Sequence, residues 1–139
     1  MIDPATKAGA HAARRLEHDL VLWLTTVTPA GQPQASPVWF LWHETEILVF
    51  SRGDTPRAAN IRANPRVAAS FDSDGDGGDV VSLEGEARIV RERATVVDVP
   101  PAYIDKYAKG LAENGWTMAT MLVDYPVEIR VQVTRVRAW

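Results

Sequence analysis

There is no cysteine among the 139 residues. That excludes disulfides, thiolate metal sites and a cysteine nucleophile. Histidine is scarce: His11, His18 and His43 lie far apart and form no ligand-spaced pair. They read as surface residues, and no metal site is expected. A nucleophile elbow, a phosphate-binding lysine loop and a dinucleotide glycine fingerprint are all missing, so hydrolase and kinase chemistry has no residues to stand on. No apolar run approaches the ~20 residues of a membrane span. The start, MIDPATKAGA, shows no basic-then-apolar signal pattern, so a cytoplasmic protein is expected. Positive charge is not in excess either. A formal net charge of -3 and a pI near 5.6 argue against nucleic acid as a partner.

What is present is ordinary for a soluble domain: 46% apolar and 24% charged residues, enough for one core, so residues 1–139 are read as a single domain. Residues 6–18 form an amphipathic helix pattern. LVLWLTTVT (20–28), PQASPVWFLW (33–42) and ILVFSR (47–52) read as successive strands, the first two joined as a hairpin across PAGQ. A short helix follows from Pro56, and RVAASFD (66–72) and VVSLEGEARIVRE (80–92) are two more strands. PPAYIDKYAKGLAENG (100–115) is a helix with Pro at its start and Gly at its end. TMATMLVDY is a second helical stretch before Pro126. VEIRVQVTRVRAW (127–139) closes the chain as a strand with Val127, Ile129, Val131 and Val133 inward. The fold class is therefore mainly β (α+β): six antiparallel strands closed into a small barrel, with short peripheral helices.

The loop DSDGDGGD places Asp72, Asp74, Asp76 and Gly77 as a calcium loop would begin. The twelfth position is Leu83 rather than Glu, and the flanks are strands rather than helices. A solvated hairpin loop is the better reading. In PQASPVWFLW, Val38, Phe40 and Trp42 share one face and Trp39 and Leu41 the other. Both faces are bulky and apolar, which means core on one side and either a subunit interface or a flat aromatic ligand on the other.

SRGDTPRAANIRANPRV (51–67) sets Arg52, Arg57, Arg62 and Arg66 against Asp54 alone, a local +3 in an acidic chain. Thr55 is the natural N-cap, Pro56 suits the first helical position, and Pro65 ends the helix. A cation at the second position of a helix opposes its dipole unless an anion sits there. The alternative is that Arg62 and Arg66 are simply solvated and that Arg57 pairs with Asp54 at the surface. The capped start with Arg52 just before it favours a phosphate site.

Taken together, PQASPVWFLW, ILVFSR, TPRAANIRANPRV and the closing TRVRAW resemble the pyridoxamine 5'-phosphate oxidase-like split β-barrel family, also called the FMN-binding split barrel. They most resemble its actinobacterial branch that uses the deazaflavin coenzyme F420. The resemblance covers nearly the whole chain. It implies that Ser36, Pro37, Val38 and Trp39 run alongside the cofactor ring, and that Ser51, Arg52 and Arg57 hold its phosphate with help from Asn60. Ser36 stands where FMN-using relatives tend to have a basic residue, which favours F420 over FMN. The longer anionic tail of F420 has Arg62 or Arg66 at hand. The family also implies a homodimer with the cofactor between subunits and a small-molecule substrate. Trp116, Tyr103, Tyr107 and Trp139 are candidates for the substrate side, although packing explains each equally well. The activity implied is hydride transfer from the reduced deazaflavin to a conjugated enone, quinone or tetrapyrrole-like acceptor. No general acid stands out, so the proton is expected from solvent. An FMN-dependent oxidase or reductase, and a non-catalytic binder of F420, FMN or haem, remain open beside it.

Overall fold

The computed structural model describes residues 2–139. In chain order the elements are α1 (Lys7–His18), β1 (Leu22–Val27), β2 (Pro33–Val38), β3 (Leu41–His43), β4 (Glu46–Ser51), α2 (Pro56–Ala63), β5 (Arg66–Ser70) and β6 (Val81–Arg91). A 3-10 turn (Val96–Asp98), α3 (Pro101–Glu113), α4 (Met118–Asp124) and β7 (Val127–Ala138) complete it. The strands form one antiparallel sheet in the order β2-β1-β5-β6-β7-β4-β3.

That makes seven strands, not the expected six. The run 33–42 changes partners in mid-course. Val38 pairs with Leu22 on β1, whereas Leu41 pairs with Leu48 on β4, at the opposite end of the sheet. Only Trp39 and Phe40 link the two edges, so the sheet must curl until its ends meet. Backbone groups at such a crossing lose their ladder partners and need others. Helix α3 supplies them. The Phe40 N–H donates to the Tyr107 hydroxyl at 2.8 Å, and Lys106 Nζ donates to the Phe40 carbonyl at 2.8 Å. The Tyr107 phenol proton lies between the Phe40 carbonyl (2.8 Å) and the Leu20 carbonyl (2.7 Å). Lys106 is half-buried there, and desolvation pushes its ammonium down to about 8 against the pull of Asp19.

The curled sheet divides the core in two. Inside the barrel lie Leu22, Leu24, Phe40, Ile47, Val49 and Ile129, with Leu16 of α1 as a plug. Outside it, α3 and α4 pack against Leu41, Leu48 and Phe50 through Tyr103, Tyr107, Leu111 and Met121. Strand β4 is buried on both faces for this reason: Ile47 and Val49 enter the barrel while Leu48 and Phe50 meet the helices. The expected faces of the split strand hold, with Val38 and Phe40 in the barrel cluster and Leu41 in the outer one. What covers the second face is this chain's own helices.

Tyr103 is fully buried between Phe50 and Tyr107, with ring centroids 5.1 and 4.9 Å away, and its hydroxyl has no partner. A buried hydroxyl that gives up water without a replacement is a cost. Tyr103→Phe should therefore raise unfolding stability by about 1 kcal/mol in a urea titration. A loss of similar size would show that the hydroxyl is bonded in solution.

Candidate functional site

Helix α2 begins where β4 ends, and this corner assembles the site. Thr55 has cap-like backbone angles (φ -90°, ψ 154°), but its hydroxyl makes no cap bond and instead donates to the Arg52 carbonyl at 3.1 Å. The expected side-chain cap is absent, so the helix N-terminus keeps its N–H groups uncapped by any side chain. Arg57, at the second helical position, reaches back across the strands. Its Nη1 donates to Ser51 Oγ at 3.0 Å and its Nη2 to Ser36 Oγ. Its Nε is buried and has no partner. Burial holds the guanidinium below its ordinary pKa, with Tyr125 opposing.

No carboxylate pairs with Arg57 among the described residues. The expected alternative, a pair with Asp54, is not formed: Asp54 goes to Arg52 Nε at 3.3 Å. A desolvated cation with two neutral hydroxyls and no counter-charge is electrostatically incomplete. An anion brought to it restores the balance, and a guanidinium fork suits a phosphate.

Arg57 lines two neighbouring hollows. The first, about 410 Å³, has Arg52, Thr55, Arg57 and Asn114 as its polar lining. Its apolar walls are Val38, Trp39, Phe50, Trp116, Met121 and Tyr125. The second, about 330 Å³, runs past Gln34, Ser36, Thr55 and Pro56. A flat aromatic molecule carrying a phosphate matches the first groove in kind, and the second offers a path for a longer substituent.

Of the expected site residues, Pro37, Val38, Trp39, Arg52 and Arg57 line the groove. Ser36 and Ser51 meet at the Arg57 guanidinium. Ser51 is fully buried, so its hydroxyl serves Arg57. Asn60 is placed differently. It is buried, and its amide donates to Thr26 Oγ1 at 3.0 Å and Gln34 Oε1 at 2.9 Å, tying α2 to β1 and β2. Arg62 forms an ion pair with Glu92 at 2.6 Å, and Arg66 lies in a separate cleft beside Val27 and Glu86.

Of the four aromatic candidates only Trp116 lines the groove. Tyr103 and Tyr107 are buried behind it, and Trp139 is 68% exposed, its backbone paired with Val80. Phe50, Asn114, Met121 and Tyr125 were not expected in the site. Nothing in their local pattern marks them, because they converge only when α3 and α4 fold onto β4.

Comparison with known proteins agrees with this geometry. Residues 9–139 match the family model described as pyridoxamine 5'-phosphate oxidase. An F420 reductase is similar at 25% identity, covering 89% of this chain and 94% of that one, with a TM-score of 0.71. A conserved hypothetical protein from Mycobacterium tuberculosis, also 25% identical, covers 96% of this chain and 85% of its own, with a TM-score of 0.74. The haem storage protein HutZ from Vibrio cholerae shares the fold at 13% identity, with 96% and 95% covered and a TM-score of 0.63. No curated protein matches the sequence.

Proposed function

The chain belongs to the pyridoxamine 5'-phosphate oxidase family, and on that premise we propose that it is an F420-dependent oxidoreductase acting on a small conjugated acceptor. The observation that carries this reading is the half-buried Arg57 guanidinium, its Nε unpartnered and no carboxylate beside it among the described residues, at the edge of an aromatic-walled groove. Arg57 and Arg52 hold the anionic phosphate, with Ser36 and Ser51 orienting the Arg57 fork. The segment Pro37–Trp39 lies along the flat ring. Asn60 acts one step back, fixing α2 against β1 and β2.

F420 is favoured over FMN on three counts. Ser36 stands where, by the family resemblance, FMN-using relatives tend to have a basic residue; a second hollow leads away from Arg57 for a longer tail; and an F420 reductase is among the similar structures. When bound, the deazaflavin supplies the hydride; the chain's own residues bind, orient and exclude water. Among the described residues no Asp, Glu or His lines the groove, and the proton is assigned to solvent. A second subunit closes the site, as expected of a groove this open on a chain this short.

The same absence of an acid or base favours, as a second reading, a carrier that binds F420 without turnover. Parallel tryptophan-fluorescence titrations with F420 and FMN, followed by steady-state reduction of a quinone panel by reduced F420, separate them. Tight F420 binding with turnover is the expected result. Binding without turnover selects the carrier, and preference for FMN overturns the deazaflavin assignment.

A further inference from the structure

Helix α3 carries Tyr107 and Gly110 on one face, one turn apart. The indole of Trp39 lies against both. It stacks on the Tyr107 ring at 4.5 Å between centroids and 5° between planes. At Gly110 the fit is tight: a Cβ built there would stand 3.0 Å from Trp39 Cη2 and 3.1 Å from Cζ2, so the indole would have to give way by a few tenths of an ångström. Tyr107 is itself pinned through its hydroxyl to the backbone at Phe40 and Leu20. The ring that lines the groove is therefore seated in a slot whose floor is the missing side chain of residue 110.

We infer that Gly110 is a specificity-determining position: by letting the Trp39 indole sit deep against α3, it sets the width of the groove and with it the size of the flat ring the groove admits. The inference rests on the groove being the site for a flat ring proposed above. Tyr107 closes one face of the indole and the backbone at Phe40 is held by three hydrogen bonds, so a ring displaced from the slot yields toward the cavity. A methyl group at 110 would then narrow the groove while leaving Arg57, Ser36 and Ser51 untouched. A glycine with no such role behaves differently. Alanine is the better helix former, so an inert position would simply raise the melting temperature.

The test is equilibrium binding of menadione and of 1,4-benzoquinone, read by tryptophan quenching, to the parent protein, Gly110→Ala and the double variant Gly110→Ala/Trp39→Phe. Menadione should weaken about tenfold in Gly110→Ala, as for an unwanted methylene in a fitted pocket, and benzoquinone less than twofold. The smaller ring of the double variant should restore menadione binding, and Gly110→Ala should not melt higher than the parent. Equal losses for both quinones, no loss for either, or failure of menadione to bind the parent would each overturn the inference. An F420 titration of the parent fails independently if the cofactor reading is wrong, so the two results are distinguishable.

Discussion

Arg57→Met should weaken F420 binding about a hundredfold while leaving the free protein about as stable as the parent. The two halves have one cause. In the free protein the guanidinium is desolvated, its Nε is unpartnered, and no acid pairs with it. Removing it forfeits the bonds to Ser36 and Ser51, roughly 1.5–3 kcal/mol each for a charged donor. It also removes a half-buried charge whose uncompensated desolvation costs several kcal/mol. The two nearly cancel, and the balance lies near zero. With phosphate bound the same charge forms short, charge-assisted hydrogen bonds in a water-poor corner, and losing them costs about 3 kcal/mol, or a hundredfold. Calorimetric melting and fluorescence titration measure the two halves. Parent-like F420 affinity would remove Arg57 from the site. A large drop in melting temperature would make it a structural residue. Arg57→Lys keeps the charge without the fork and should fall between the two.

Glu128→Gln should cost about 3 kcal/mol in urea unfolding, for the opposite electrostatic reason. Glu128 lies on β7 opposite Phe50 and is fully buried, where strict alternation would have turned it to solvent. Its Oε1 accepts from Arg91 Nη1 at 2.8 Å and its Oε2 from Arg130 Nε at 3.2 Å. An amide keeps the shape but only one acceptor, so its NH2 must face one of the two cations, and Arg130, whose side chain is only 12% exposed, loses the negative charge it pairs with. Arg91 is less affected, being 46% exposed and also paired with Asp98 at 3.1 Å, which keeps the loss toward the lower end of the range for a broken buried pair. A loss below about 1 kcal/mol would show the carboxylate to be dispensable. Glu128→Met/Arg130→Met, which removes both charges, should recover at least half of the lost stability.

Much of the fold was legible in advance because most of these elements announce themselves locally. Helix α3 has its apolar residues at helical spacing after a proline, and β7 turns Val127, Ile129, Val131 and Val133 inward as its alternation says. The run 33–42 was legible as strand and as apolar on both faces. Its division into β2 and β3 was not, since alternation records which way side chains point and carries nothing about which neighbour the backbone bonds to. Thr55 shows the same limit: its position marks a helix start, but whether the hydroxyl caps or turns to the Arg52 carbonyl is decided by the corner it sits in.

In the site, residue types and their order set the chemistry on offer: arginines with too few acids at the start of a helix, serines and an aromatic strand nearby, and the family those segments resemble. Which of those groups come together is a property of the folded chain. It set Arg57 apart from Arg62 by half-burying the first without a counter-charge and giving the second to Glu92. It turned Asn60 inward to Thr26 and Gln34, and it brought Tyr125, Trp116 and Phe50 to one wall. Charge and polarity are written residue by residue, but desolvation and the pairing of charges depend on which distant segments a closed barrel presses together.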